Sequence, residues 1–320
     1  MDPQNLLEQH LNEIIDIARF APSLYNTQPW RVHQNGNNLI ITIDSRYQLV
    51  NADPIMRQTY IGLGIFCEAI GRTAQNFGLA QSSVTLDAGQ AILTFTNTQT
   101  IEQSAEIAAI KSRSSDRGMY AHIDIPHETI QAIISSAAGL DVTVKVITDP
   151  TTIATVADLN SQGKAQALNN AQFRNELRRY LIPLWSSNKR GIPIKSLGLS
   201  PFAALLKPWH LKHGMGIDSE VAQEKKLWES ASAVILFRAD EDVMKSWYEV
   251  GQAFMRVSLA IEKLGLSLAT SEAIVEISQF HEDLQNLLFT KQRILAIMRI
   301  GQGKGSYAPS PRVDASELIT

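Results

Sequence analysis

Two apolar helical patterns constrain this chain more than any other feature. One, IGLGIFCEAIGRTAQNF, leads from Ile61-Gly62 to Gly78-Leu79; the other, VGQAFMRVSLAIEKL, leads from Val250-Gly251 to Gly265-Leu266. A glycine just past the last periodic residue stops a helix, because it takes left-handed backbone without a Cβ clash. A fainter pair accompanies them. LNEIIDIARFAP (11–22) and TIQAIISSAAGL (129–140) share a helical frame, Ile14-Ile15 and Ala18 matching Ile133-Ile134 and Ala137. Amphipathic helices also coincide by chance, yet the two pairs together read as two related α+β halves, 1–104 and 105–320.

The remaining pattern fits that frame. Asp2-Pro3 caps a first helix that ends near Phe20, and Trp30–His33 and Leu39–Thr42 flank QNGN (34–37) as a hairpin. Asp53-Pro54 opens the helix that Gly78 stops, and 82–87 with 91–96 form a second hairpin. Helices at about 103–113 and from Pro126 to Ala138, a strand over 142–147 and a long helical stretch over 150–180 follow. SAVILF (232–237), a helix at about 242–264, a short helix near 281–289 and RILAIMRI (293–300) complete the core. Residues 189–216 break the periodicity with prolines and glycines but stay apolar, the composition of a covering lid rather than a linker.

Composition excludes several classes. With 320 residues, 44% of them hydrophobic, the chain can bury a large core, and 29 basic against 32 acidic residues in no long run of one sign offer no footprint for nucleic acid or an anionic membrane. The lone cysteine, Cys67, sits in an apolar helical pattern and reads as a buried thiol. MDPQNLLEQH lacks the features of a signal peptide and no apolar run approaches the ~20 residues of a membrane span, so a cytoplasmic location is expected. His210 and His213 lack the company a metal site needs, and no serine or cysteine shows a nucleophile's surroundings. GQGKGS (301–306) follows a strand but leads into YAPSPR rather than a helix, so it is not a phosphate loop.

One polar knot remains, APSLYNTQPW (21–30), between the first helix and the first strand. It resembles the A-P-S-x-x-N-x-Q-P-W signature of the flavin-dependent nitroreductase family. In that family two identical subunits build the flavin mononucleotide (FMN) site at their interface, where the Pro-Ser-x-x-Asn segment of one meets an R-x-S-x-R segment of the other. By resemblance, Pro22, Ser23, Leu24 and Asn26 touch the flavin. RSSDR (113–117) matches the second segment, with Arg113 and Ser115 at phosphate-binding positions and Arg117 as a supporting cation. Guanidinium forks and a hydroxyl are the donors a phosphate takes.

The two motifs lie in different halves, and each half lacks the other's. The first has no arginine before Arg19, and the second reads AAGLDVTV where the knot would stand. One site per chain is what the sequence can build. This division resembles the Acg-type branch, in which a single chain imitates the dimer, and implies a nitroreductase-like three-layer fold, an intramolecular pseudo-dimer with a lid insertion at 189–216. LGLSLATSEAI (264–274) resembles the segment at the flavin's reactive edge, placing Glu272 and Ala273 near N5, and PSPR (309–312) resembles a P-K-S-R pattern that reaches the phosphate through Arg312, with Ser310 in place of the lysine.

The resemblance implies an oxidoreductase that passes electrons from NAD(P)H through FMN to a nitroaromatic or quinone, with flavin N5 carrying the chemistry and no dedicated catalytic side chain. Asn26 would hold the ring; Gln28 and Trp30 would brace the knot. A closed lid would instead make an FMN storage or sequestration protein. A two-domain structural protein without ligand is the third reading, and a monomer is compatible with all three.

Overall fold

The structure, a computed structural model, describes residues 2–99, 104–197, 199–303 and 310–320. Helix α1 (Pro3–Ala18) begins where Asp2 accepts from the Gln4 amide at 3.2 Å, and it buries Leu7, Leu11, Ile14, Ile15 and Ala18. Strands β1 (Trp30–Asn35) and β2 (Asn38–Ile43) form the expected hairpin. Helix α2 (Arg57–Gln75) starts later than Asp53-Pro54 suggests. Asp53 instead reaches forward, buried, to accept from the Gln58 and Thr59 amides at 3.1 and 2.8 Å. Strands β3 (Leu79–Asp87) and β4 (Gln90–Asn97) complete an antiparallel sheet of order β1-β2-β4-β3, and α3 (Ser104–Ser112) follows.

The second half adds α4 (His127–Ser135), β5 (Thr143–Ile147), α5 (Pro150–Asn169) and α6 (Ala171–Arg179). The single helix expected over 150–180 is thus two. Asn170 leaves helical backbone and its side-chain oxygen accepts from Gln172 and Phe173, capping the second helix as it ends the first. A short parallel pair, β6 (Leu181–Ile182) and β7 (Ile192–Pro193), follows. The segment 189–216, expected as a lid, is more regular than its prolines suggest. Ser200 caps a helix, α7 (Pro201–His213), that carries Pro208 internally, and α8 (Ile217–Glu229) follows unanticipated. Then come β8 (Ala233–Ala239), α9 (Met244–Lys263), β9 (Ser267–Thr270), α10 (Ala273–Glu276), α11 (Ser278–Leu287), β10 (Arg293–Gly301) and α12 (Ala315–Leu318).

The second sheet runs β5-β8-β10-β9, all antiparallel. β8 and β10 are buried along almost their whole length because α9 covers one face and α5, α8 and α11 cover the other. The chain is therefore α+β, with α2 and α9 packed together between the sheets in one core. Their crossing is set by glycine. A Cβ on Gly64 would lie 2.0 Å from the Tyr248 carbonyl oxygen, and one on Gly251 would lie 2.1 Å from that of Ile61. Gly64, not Gly62, is thus the counterpart of Gly251, and it precedes Gly78 by the same number of residues as Gly251 precedes Gly265. Those two end glycines both have left-handed backbone, φ 75° and 70°.

The C-terminal tail crosses back to the first half. Val313, Ala315 and Leu318 are buried in the shared core, Ile319 bridges Val32 in parallel, and the Thr320 amide donates to Val32 O at 2.8 Å.

His281 gives the fold an acid limit. Its Nε2 accepts from the Ile294 amide at 3.2 Å, and burial, with Arg293 and Arg57 nearby, pushes its pKa from 6.5 down to about 4. A neutral histidine in the folded state and a protonatable one in the unfolded state make stability fall as pH drops from 6.5 toward about 4. Urea midpoints measured across that window should decline, and His281→Gln should flatten the decline.

Candidate functional site

The knot has backbone that side chains must hold in place. Tyr25, Asn26 and Gln28 all have positive φ (50°, 55° and 48°), an uncommon region for residues with a Cβ. Ser23 Oγ accepts from the Gln28 amide at 2.9 Å. Gln28, fully buried, donates through Nε2 to Lys189 O at 2.8 Å and accepts through Oε1 from the Val313 amide at 3.0 Å. Trp30 stacks on Phe66 with ring centres 4.4 Å apart. Gln28 and Trp30 do brace the knot.

Asn26, expected to hold a flavin ring, is also bound into the protein itself. Its Nδ2 donates to the carbonyls of Lys189, Gly191 and Pro311 at 3.2, 3.0 and 2.9 Å, while Oδ1 accepts from Arg312 Nη1. It lines the cavity, but its amide ties the knot to the base of the lid and to the tail. Arg190 reinforces the same junction by donating to Thr27 O at 2.7 Å.

The arginine segment is held as an added edge of the second sheet. Ser115 bridges Leu268 in parallel, and the Asp116 amide donates to Leu268 O at 2.9 Å. Asp116, buried, accepts from the Gly118 amide at 2.9 Å and from Ser267 Oγ at 3.2 Å. Arg299, on β10, donates to Gly118 O at 2.8 Å with its guanidinium 4.0 Å from the Tyr120 ring centre. In the tail, Arg312 Nη2 donates to Phe20 O at 3.1 Å and Arg19 Nη1 to Val313 O at 3.0 Å. Pro309 and the end of GQGKGS lie outside the described residues.

These pieces meet at one cavity of about 890 Å³. Pro22, Ser23, Leu24 and Asn26 line it from the knot, Arg113, Ser115 and Arg117 from the arginine segment, Glu272 and Ala273 after β9, and Ser310 and Arg312 from the tail. The eleven residues expected to contact the flavin therefore line the same space, although the segments lie far apart in the chain. Ile61, Gly62 and Ile65 of α2 and Phe254 of α9 add apolar wall.

The cavity gathers Arg113, Arg117 and Arg312, although Glu220, Glu224, Glu272 and Glu276 line it as well. Burial pushes Arg113 down to about 10, against the pull of Glu262 and with a smaller repulsion from Arg117. Arg312 falls to about 9 through burial and then through Arg113, Arg19 and Arg117. Arg117 is lowered by burial as well. Nε and Nη1 of Arg113 and Nε of Arg312 are buried without a hydrogen-bond partner among the described residues. Guanidiniums stay charged at neutral pH, so three clustered cations, two of them with unmet N–H groups, form a site for a multiply charged anion. Nearby, burial raises the Glu272 carboxyl, while the Thr270 hydroxyl at 3.3 Å and Arg117 pull it back.

Some lining residues escaped notice in the sequence. Lys164 of α5 pairs with Glu224 of α8 at 2.6 Å, Glu224 also accepts from Trp228 Nε1 at 2.9 Å, and Lys207 of α7 pairs with Glu220. The signal was available: Gly216-Ile217-Asp218-Ser219-Glu220 puts acidic residues in a first helical turn, where the helix dipole favours them. Among the described residues no group of three or more His, Cys, Asp or Glu is placed to hold a metal, and no helix is long and apolar enough to cross a membrane.

No protein-family model matches the chain. The probable NAD(P)H nitroreductase PigM of Serratia sp. is 34% identical over 73 residues, which is 22% of this chain and 20% of that relative. One stretch is a nitroreductase match. The match thus spans about a fifth of the relative's length. Among solved structures, the FMN-dependent nitroreductase NfnB from Mycobacterium smegmatis, in complex with NADPH, overlaps with 68% of this chain and 97% of its own at 14% identity and a TM-score of 0.47. A nitroreductase with bound FMN from Bacteroides fragilis overlaps with 67% of this chain and 96% of its own at 11% identity and a TM-score of 0.42. Overlaps at these scores carry no weight beside the cavity's own residues.

Proposed function

We propose that the cavity binds FMN and that the chain is a nitroreductase-type oxidoreductase, a single-chain pseudo-dimer taking electrons from NAD(P)H to an electron-poor nitroaromatic or quinone. The observation that carries this is the trio Arg113, Arg117 and Arg312. Arg113 and Arg117 come from the arginine segment and Arg312 from the tail; all three line the cavity, and the buried N–H groups of Arg113 and Arg312, without a partner among the described residues, need a phosphate-like anion. FMN, when bound, supplies the hydride-accepting and hydride-donating chemistry.

The chain's own residues do the rest. Arg113, Ser115 and Arg312 bind the phosphate, with Arg117 adding positive charge. Losing a lysine at Ser310 leaves three guanidiniums, enough to neutralise a dianion. Pro22, Ser23 and Leu24 border the ring, and Glu272 and Ala273 its reactive edge. Asn26 positions the knot, through which the ring's wall, the lid base and the tail move together. The mixed wall of Ile61, Ile65, Phe254 and Trp228 limits water around the ring.

A second reading, flavin sequestration, draws on the lid. Lys207 is paired with Glu220, and Arg174 donates to Leu211 O at 2.9 Å, both holding α7 over the cavity. An anaerobic mix of the FMN-loaded protein with NADH or NADPH separates the two. Bleaching of the flavin band is the result expected of the reductase, and Lys207→Ala should speed it several-fold by freeing the lid. Dithionite bleaching without a response to either nicotinamide would leave sequestration standing. Failure to bind FMN at all would end both.

A further inference from the structure

We infer that the outer face of the lid helix α7 is a membrane-surface seat that rests on anionic lipid. This does not depend on which cofactor the cavity holds. Helix α7 is apolar on two sides. Its inner side buries Ala204 and Leu211 with Leu168, Leu181, Ile192 and Ile194 in a small core of its own. Its outer side leaves Phe202, Leu205 and Trp209 exposed at 72%, 56% and 50%, and their spacing puts them on one stripe.

Charge identifies what covers this stripe. Residues 189–216 contain Lys189, Arg190, Lys195, Lys207 and Lys212 and no aspartate or glutamate, within a chain of net charge −3. Arg190 and Lys207 turn inward, to the knot carbonyls and to Glu220, and Lys189 pairs with Asp314 at the surface. Lys195 and Lys212 are exposed, and Lys212 and His213 lie one turn beyond Trp209 on the same face, the Trp209 and His213 rings 4.8 Å apart. An aromatic and leucine stripe beside cations, with no carboxylate in the segment, suits the boundary between acyl chains and anionic headgroups. A second copy of the same face would bring these cations against each other unneutralised. The even charge balance of the whole sequence concealed this, because acidic residues elsewhere in the chain offset the segment's five cations.

Co-sedimentation of the full chain with vesicles of phosphatidylcholine, alone or mixed equally with phosphatidylglycerol, tests the proposal. The protein should pellet with the mixed vesicles, far less with the neutral ones, and lose binding at high salt. Phe202→Glu with Trp209→Glu should lower the bound fraction more than roughly ten-fold while circular dichroism and melting temperature hold, since both side chains are exposed. Lys212→Glu should weaken binding in the same direction without altering the apolar stripe. Absence of pelleting, equal binding to both vesicle types, or undiminished binding by the double variant would each overturn it. So would self-association of the wild type that the double variant abolishes, which would assign the stripe to a second copy.

Discussion

Arg113→Met should weaken FMN binding by roughly ten- to a hundred-fold, the worth of one charge-assisted phosphate contact, and yet leave the ligand-free chain as stable as before or more so. The two effects have one cause. Without a ligand, Arg113 is a buried cation beside Arg117 and Arg312, with two N–H groups unpaired, so an apolar side chain of similar length removes a cost rather than a contact. Arg312→Met should behave otherwise. It removes hydrogen bonds to Phe20 O and Asn26, costing about 1–3 kcal/mol with or without ligand, as well as weakening FMN. The double variant should retain no flavin on purification. Melting curves with and without FMN, set beside a fluorescence titration, would separate these outcomes. An Arg113→Met protein that binds FMN as tightly as wild type would remove that residue from the phosphate site.

Gly251→Val should be the most destabilising single substitution in the core, by more than about 3 kcal/mol. The added Cβ would lie 2.1 Å from Ile61 O and 2.9 Å from Gly64 Cα, so it meets backbone that cannot rotate away. Helices α2 and α9 would have to separate, and with them the halves that share the cavity. Gly62→Ala is the control. Its Cβ would meet only Trp30 and Ser23 side-chain atoms at 3.7 and 4.0 Å, ordinary contact, so its urea midpoint should barely change. Equal losses at both positions would contradict the crossing described here.

The core elements were legible in the sequence because their signals are local. Asp2-Pro3, QNGN and Gly78 each specify a cap or turn by their own chemistry, and the structure places α1, the first hairpin and the end of α2 accordingly. Misreadings occurred where a distant contact decides. Asp53 looked like an N-cap, but its carboxylate reaches on to Gln58 and Thr59. The lid looked irregular because Pro208 and the flanking glycines mask a helix whose two apolar faces cancel any amphipathic pattern. For the site, residue identities were legible but not uses. Asn26 was legible as a site residue, whereas its engagement with Lys189, Gly191, Pro311 and Arg312 depends on segments remote in the chain. Arg299, which holds the turn after the arginine segment, lay unnoticed in a strand that read as pure core.

The central claim is a count: one FMN site per chain, assembled from the knot, the arginine segment and the tail. Titrating ligand-free protein with FMN, and following quenching of the flavin fluorescence against chain concentration, measures it directly. Saturation at one FMN per chain, lost in the Arg113→Met, Arg312→Met double variant, is the expected result. No saturable quenching, or saturation at a ratio other than one, would contradict it.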